Sequence, residues 1–142
     1  MRPLVTGTKT FLIQTIPALS FGTTNPSKLA IRTSVQVLPT RQMEFEAFLK
    51  NEFIPVLKKA QVKRYTVAKV ILGGSTTEYI TILTLDNFAE LAKGHPINRV
   101  LGEEGANKLM ARAGAFISSA ERYVMRLNEE SSFRVTATSQ AR

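Results

Sequence analysis

The chain contains 142 residues, of which 44% are hydrophobic and 21% are charged, and its formal net charge is +8. These fractions are typical of one folded domain and argue against disorder throughout the chain. The sequence contains no cysteine, which excludes disulfide scaffolds, thiolate zinc sites and thiol nucleophiles. No apolar stretch approaches the ~18 residues of a membrane-spanning helix, so we expect no membrane span.

The positive charge is concentrated near the two ends of the chain. Residues 1–41 contain five bases and no acid, whereas residues 42–133 contain twelve bases and eleven acids. A nucleic-acid-binding domain usually carries Lys and Arg on a folded face together with a recognisable motif. The sequence shows no helix-turn-helix, zinc-finger or ribonucleoprotein motif, so we predict no nucleic-acid partner.

Residues 1–28 are predicted to form an N-terminal extension. Two bases followed by the apolar residues 11–21 have the order of a secretory signal, but Gln14 and Pro17 interrupt the apolar part. Residues 22–27 have the composition of a linker. A cleaved signal and a flexible extension both stay open. The compartment is therefore left open: cytoplasmic, or exported if the segment is a cleaved signal.

The first part of the domain reads as a strand followed by a helix. Residues 29–38 alternate between apolar and polar side chains, which predicts a strand with one more polar face. Residues 41–60 carry their apolar side chains at helical spacing. Pro55 lies inside this helix and cannot donate a backbone hydrogen bond, so we expect a kink or a break near Asn51.

Residues 64–85 predict a hairpin of two strands joined at Gly73 and Gly74. A sheet with one wet face alternates apolar and polar side chains, but both faces of this hairpin are largely apolar. Such a hairpin needs a cover on each side. Helices of the same chain can cover one face, and a second subunit is the predicted cover of the other.

The second part of the domain reads as two helical pieces followed by a strand. Asp86 is the predicted N-cap of a short helix at residues 87–93. An extended step is predicted before Pro96, and a new helix is predicted to begin near Gly102. Residues 120–128 alternate and predict the last strand.

This order of elements predicts an α+β domain with a ferredoxin-like, split βαβ plan. The plan has a four-stranded antiparallel sheet with helices on one face. The domain is predicted to span residues 29–128, followed by a polar C-terminal tail at residues 129–142. Burial of the open sheet face predicts a homodimer in which two sheets form a dimeric α/β barrel.

Several short stretches resemble a group of bacterial proteins. The stretches are Tyr65-Thr-Val-Ala, Gly73-Gly-Ser-Thr-Thr-Glu-Tyr79, Phe88-Ala-Glu-Leu, and Arg126 with Ser131-Ser-Phe133. They resemble uncharacterised bacterial proteins of the dimeric α/β-barrel type over residues 29–133. At a greater distance they are similar to antibiotic-biosynthesis monooxygenases and NIPSNAP-like proteins. The resemblance implies the fold, but a reaction does not follow from a fold.

His95 is the only histidine, so a catalytic triad or a haem ligated through imidazole would have to use it. It lies in a Gly-His-Pro turn beside the predicted pocket rim, where loop residues often act. One histidine does not make a typical zinc site. The alternative is that His95 is an ordinary surface or loop residue.

Glu78 and Tyr79 follow the predicted turn at the mouth of the barrel. Glu78 could act there as a general base, with the Tyr79 phenol as a hydrogen-bond donor. The alternative is structural: Glu78 pairs with a nearby base, and Tyr79 packs across the hairpin from Tyr65.

Arginines on the first and last strands form a third candidate group. These strands are neighbours in the predicted sheet, so Arg32, Arg122 and Arg126 could line one polar strip. Inside the barrel the strip would suit an anionic ligand, whereas outside it would be a solvated face. The full set of candidate ligand-binding residues is Tyr65, Glu78, Tyr79, His95, Arg122 and Arg126.

Two classes of function fit these residues. The first is a non-catalytic dimeric module that binds a small molecule or has a structural role. The second is a cofactor-independent, monooxygenase-like enzyme acting on an aromatic or polyketide-like substrate in the barrel cavity. No acid, base or metal constellation stands out, which favours the first class. We predict no catalytic residue, metal or cofactor, and haem binding through His95 is a third hypothesis.

Overall fold

A computed structural model describes residues 4–22 and 27–131. Most of the predicted polar tail, part of the predicted linker, and the first three residues lie outside this range. So do Ser132 and Phe133, which belong to the last of the resembling stretches.

The described residues form six strands and a set of short helices around one longer helix. The strands are β1 (Leu12–Thr15), β2 (Phe21–Gly22), β3 (Leu29–Val37), β4 (Arg64–Leu72), β5 (Glu78–Leu85) and β6 (Ile117–Arg126). The α-helices are α1 (Gln42–Phe48), α2 (Ile54–Lys59), α3 (Phe88–Ala92) and α4 (Pro96–Gly114). A 3₁₀ turn covers Pro17–Leu19, and a π-helical turn covers Leu49–Phe53.

The sheet is antiparallel and runs in the order β1-β4-β5-β3-β6, with β2 also paired to β4. The inner order β4-β5-β3-β6 is that of a ferredoxin-like, split βαβ domain, so the predicted α+β class is confirmed. The predicted four-strand count is wrong, because β1 and β2 add to the outer edge of β4. A long unpaired edge exposes backbone donors and acceptors, and the segment before the domain satisfies them here.

The helix predicted at residues 41–60 is interrupted where Pro55 requires it. Between α1 and α2 the backbone widens into the π-helical turn at Leu49–Phe53, and Pro55 lies in the first turn of α2. Proline is tolerated there because the first-turn N–H groups have no partner within the helix. The predicted break near Asn51 is confirmed.

The start of the next helix differs from the prediction, and the helix after it has an additional first segment. The side chain of Asn87, not Asp86, caps α3 by accepting a hydrogen bond from the Glu90 N–H at 3.0 Å. A helical segment already begins at Pro96, a position that suits proline, and it breaks at Gly102, whose φ of 69° is not helical. The helix predicted to begin near Gly102 is therefore confirmed as the part of α4 that follows this break.

The main core lies between the helices and one face of the sheet. Its largest members come from β3, β4, β5, the segment running from α1 to α2, and α4. They include Val35, Val37, Phe45, Phe48, Leu57, Tyr65, Val67, Tyr79, Leu83, Ile97 and Leu109. The opposite edge strand, β6, is exposed along nearly all its length.

The second face of the hairpin is partly covered by the chain's own N-terminal arm, residues 4–16. Ala68, Val70 and Ile80 lie on this helix-free face and are only 2–3% exposed. The arm runs beside the hairpin turn, and the ring of Phe11 lies 5.7 Å from the guanidinium carbon of Arg32 on β3. The need for a second cover is thus met in part within one chain, and the homodimer stays a prediction.

Candidate functional site

A cavity of about 90 Å³ lies between the helices and the sheet. Its walls are mostly aromatic and aliphatic side chains from α1, the π-helical turn, α4 and the inner strands. Its polar groups come from β3, β4, β5, β6 and the start of α4. The lining residues are Ile31, Thr33, Val35, Phe45, Phe48, Leu49, Phe53, Tyr65, Thr81, Leu83, His95, Met110, Ala113, Ile117, Ala120 and Arg122.

Tyr65 and Thr81 form the polar floor of the cavity. They lie on the adjacent strands β4 and β5, and both side chains point to the helices; Tyr65 is 4% exposed and Thr81 is 8% exposed. Burial raises the pKa of Tyr65 well above its ordinary value, and a hydrogen bond with Thr81 acts in the opposite direction. The phenol is therefore neutral at physiological pH and serves as a hydrogen-bonding group.

His95 stands at the rim, where it caps the N-terminus of α4. Its Nδ1 accepts a hydrogen bond from the Ile97 N–H at 3.3 Å, which leaves the ring proton on Nε2. Burial, followed by the positive charges of Arg122 and Arg99, lowers the pKa of His95 to about 4. The imidazole is neutral at pH 7, and its Nε2–H is a donor. Its ring centroid lies 6.3 Å from that of Phe53.

Arg122 brings a positive charge to the open side of the cavity. It lies on β6 opposite Thr33 of β3, and this register points its side chain to the helix side of the sheet. The residue is exposed and forms no ion pair with another described residue. A guanidinium in this position can bind a carboxylate with two parallel hydrogen bonds.

The candidate residues predicted from the sequence therefore lie in different parts of the structure. Tyr65, His95 and Arg122 meet around one cavity. Glu78 lies on the helix-free face, because consecutive strand residues point to opposite sides. Arg126 is opposite Leu29 at the far end of β6 and does not line this cavity.

Tyr79 is a core residue rather than a cavity residue. Its hydroxyl donates to Glu46 Oε1 at 2.5 Å, and its ring makes an edge contact with Phe45 at 5.1 Å between centroids. Burial and the neighbouring Glu46 carboxylate raise its pKa above the ordinary value. The predicted packing of Tyr79 across from Tyr65 is wrong, since Lys69 is the β4 residue opposite Tyr79.

The predicted strip of three arginines does not form. Arg32 pairs in register with Tyr123, whereas Arg122 pairs with Thr33. Arg32 therefore points to the helix-free face, and Arg122 and Arg126 point to the helix side. The three positions share neighbouring strands, but strand alternation separates them.

Several cavity residues have no counterpart among the predicted site residues. Phe48 and Phe53 were recognisable in the sequence only as part of the apolar helix stripe. Thr81 is one of two threonines in the largely apolar strand β5, and it shares a face with Tyr79 and Leu83, which is the signal that places it beside the helices.

Within residues 4–22 and 27–131, no group of three or more His, Asp or Glu side chains is arranged to hold a metal ion. Across the same residues, no helix combines the length and the apolar character needed to cross a membrane.

The fold and this cavity define an α+β domain of ferredoxin-like plan, and it is similar to NIPSNAP proteins of known structure. An uncharacterised NIPSNAP domain protein from Burkholderia xenovorans has a TM-score of 0.59 at 12% identity, over 71% of this chain and 95% of that chain. A NIPSNAP family protein from Agrobacterium tumefaciens strain C58 has a TM-score of 0.56 at 12% identity, over 75% and 98% of the two chains. The resemblance to this fold is therefore confirmed.

A third similar structure is a proposed monooxygenase from Lactobacillus acidophilus. Its TM-score is 0.52 at 12% identity, over 75% of this chain and 48% of that chain. No protein-family model and no curated protein matches this sequence. At this level of identity the similarities establish the fold alone.

Proposed function

We propose that this domain is a small-molecule-binding module whose ligand occupies the cavity between the helices and the sheet. The observation that carries the proposal is the meeting of Tyr65, His95 and Arg122 around a mostly apolar cavity. Ligand sites are typically apolar cavities with a few placed polar groups and perturbed pKa values. All three side chains can donate a hydrogen bond, so the ligand would carry an acceptor.

The size of the cavity restricts the ligand. Its volume of about 90 Å³ is smaller than the engineered cavity of about 150 Å³ that holds benzene in another protein. Only part of a single ring fits within this space, so the rest of the ligand would lie at the open side. Because Arg122 stands at the open side, we propose a small aromatic carboxylate whose ring faces Phe48 and Phe53.

We prefer binding to catalysis as the proposed function. The monooxygenase-like alternative rests on similarity of fold, from which no reaction follows. The haem alternative would place a porphyrin beside His95, and the cavity is far too small for such a macrocycle. Neutral His95 and neutral Tyr65 instead offer a ligand fixed hydrogen bonds.

Binding can be tested by following backbone amide resonances while benzoate or phenylacetate is added. We expect saturable shifts at Thr81 and Ala120, and binding about tenfold weaker in Arg122→Gln, because a charge-assisted hydrogen bond is lost. Arg126→Gln is the matched control, since Arg126 lies on the same strand and face outside the cavity. Absence of saturable shifts with both acids, or equal loss in the two variants, would contradict the proposal.

We also propose that the domain forms a homodimer through the part of the helix-free face that the arm leaves uncovered. Met125 lies there opposite Ala30, next to Thr84 on β5, and it is 37% exposed. Val124 is the preceding residue on the same strand but points to the other face. We expect Met125→Glu, and not Val124→Glu, to convert the dimer to a monomer in size-exclusion chromatography with light scattering. A wild-type monomer at micromolar concentration would refute this proposal.

A further inference from the structure

A second cavity, of about 210 Å³, lies on the helix-free face beneath the N-terminal arm. Four segments that are distant in sequence build it: the arm, β3, the hairpin turn with β5, and β6. The lining residues are Lys9, Phe11, Arg32, Ser34, Gly73, Gly74, Glu78, Glu121 and Tyr123.

This cavity contains two positive and two negative side chains that do not pair with one another. None of Lys9, Arg32, Glu78 and Glu121 lies within ion-pair distance of an opposite charge among the described residues. Because these opposite charges surround one cavity without pairing, a ligand there can contact both positive and negative side chains. Neutralisation by a ligand therefore costs no existing ion pair.

Neutral groups hold three of these charges in place. Glu78 Oε1 accepts a hydrogen bond from the Ser34 hydroxyl at 2.7 Å, and Glu121 Oε2 accepts one from the Tyr123 hydroxyl at 2.6 Å. The Arg32 guanidinium carbon lies 5.7 Å from the Phe11 ring and 5.9 Å from the Tyr123 ring. Each carboxylate keeps acceptor sites free, and Arg32 keeps its donors free. Three of the four charged side chains are thus held in position while their charges stay unpaired.

We propose that this second cavity binds a free α-amino acid with a small aliphatic side chain. Its ammonium group would lie against Glu78 and Glu121, and its carboxylate would lie against Arg32 and Lys9. Charge-assisted hydrogen bonds at both ends favour a zwitterion over a molecule with one charge. The rings of Phe11 and Tyr123 supply an apolar wall for the side chain.

The arm contributes directly to this site. The carbonyl oxygen of Thr10 and the Cα of Phe11 lie so close to Gly73 that a Cβ there would meet them at 2.3 and 2.8 Å. Glycine at the turn lets the arm approach and carries Lys9 and Phe11 over the cavity. An occupied site is therefore expected to hold the arm more firmly.

The proposal is tested by titrating the full chain with L-leucine, followed by calorimetry and amide resonances. Two matched analogues remove one charge each: 4-methylpentanoate lacks the ammonium group, and 3-methylbutylamine lacks the carboxylate. We expect saturable binding of L-leucine, shifts centred on Ser34 and Glu78, and at least about tenfold weaker binding of either analogue. Absence of saturable binding, or equal binding of the three compounds, would overturn the proposal.

Two variants test which side chains contribute to L-leucine binding. Arg32→Gln and Glu78→Gln should each weaken L-leucine binding by about tenfold or more. Arg126→Gln on the neighbouring strand and Glu103→Gln on α4 are the controls, and both should bind as the wild type does. Amide spectra show whether each variant is folded. An equal loss of L-leucine affinity in Arg126→Gln and Arg32→Gln, or in Glu103→Gln and Glu78→Gln, would refute the assignment.

This inference is independent of the proposed site on the other side of the sheet. Arg122→Gln should leave L-leucine binding unchanged, and Glu78→Gln should leave benzoate binding unchanged. Failure of one site is therefore distinguishable from failure of the other.

Discussion

At the scale of single residues, the side chain of His95 has two roles, because it caps a helix and also lines the cavity. Its Nδ1 fixes the start of α4 and its other nitrogen is available at the cavity rim. Burial next to Arg122 and Arg99 favours the neutral ring in the folded protein. The free energy of unfolding is therefore expected to depend on pH in the mildly acidic range.

The pH dependence of stability follows from the two pKa values of His95. The ordinary value is 6.5 and the folded value is about 4, so between these limits the unfolded chain binds more protons than the folded one. Stability should therefore fall as pH decreases from about 7 to about 5, by on the order of 2 kcal/mol. Urea unfolding at several pH values measures this.

His95→Asn is the matched variant for that measurement, because asparagine caps helices well and does not titrate in this range. It should keep most of the stability at pH 7 and lose the His95 part of the pH dependence. An identical decline in the variant would assign the effect to other groups.

Tyr79 gives a second prediction at this scale. Tyr79→Phe removes the hydroxyl that donates to Glu46 at 2.5 Å and keeps the ring contact with Phe45. We expect the free energy of unfolding to fall by about 1.5–3 kcal/mol, as is usual for a hydrogen bond to a charged group. Tyr123→Phe is the control, because its hydroxyl bonds Glu121 on an exposed strand; it should change stability by less than about 0.5 kcal/mol. Equal losses in the two variants would contradict the structural role of Tyr79.

At the residue scale, the sequence indicated candidate residues but not the direction in which each side chain points. Tyr65, His95 and Arg122 were all recognised, and the structure brings them to one cavity. The separation of Arg32 from Arg122 depends on a register of one residue between β3 and β6. Burial does not specify that register, because β6 is exposed on both faces.

At the scale of elements, the two apolar faces of the hairpin are explained by covers of different origin. The helices cover the face of Tyr65 and Val67, and the arm lies over part of the face of Val70 and Ile80. The arm was read as an extension because Gln14 and Pro17 interrupt its apolar residues. The short edge strands β1 and β2 are held by backbone hydrogen bonds to β4. They therefore form without a regular pattern of apolar side chains.

Gly73 is the element-scale test of this packing. Gly73→Ala places a Cβ within 2.3 Å of the Thr10 carbonyl oxygen and at a φ of +87°, so we expect a loss of about 1–2 kcal/mol and a displaced arm. Trypsin should then cleave after Lys9 faster than in the wild type. Gly114→Ala is the control, because Gly114 has open space, and helical alanine should be neutral or stabilising by about 0.5–1 kcal/mol. Unchanged cleavage in Gly73→Ala would show that the turn does not hold the arm.

At the scale of the whole molecule, the sheet separates two chemically different spaces. The helix side offers a small, mostly apolar cavity with hydrogen-bond donors at its floor, its rim and its open side. The arm side offers a larger cavity with both signs of charge. The order of strands and helices was predictable from periodicity, since the core pattern extends over many residues. The second space was not predictable, because it requires the arm to return over the sheet.

Removal of the arm tests whether one chain can protect its own sheet. A protein lacking residues 1–16 loses β1 and exposes the edge of β4 together with Val70 and Ile80. We expect the free energy of unfolding to fall by on the order of 2 kcal/mol and association to increase, because apolar surface and backbone groups become accessible. A protein lacking only residues 1–8 keeps the paired part and should behave as the full chain. Denaturation and light scattering on both proteins measure this, and equal behaviour of the two would show that the arm contributes no cover.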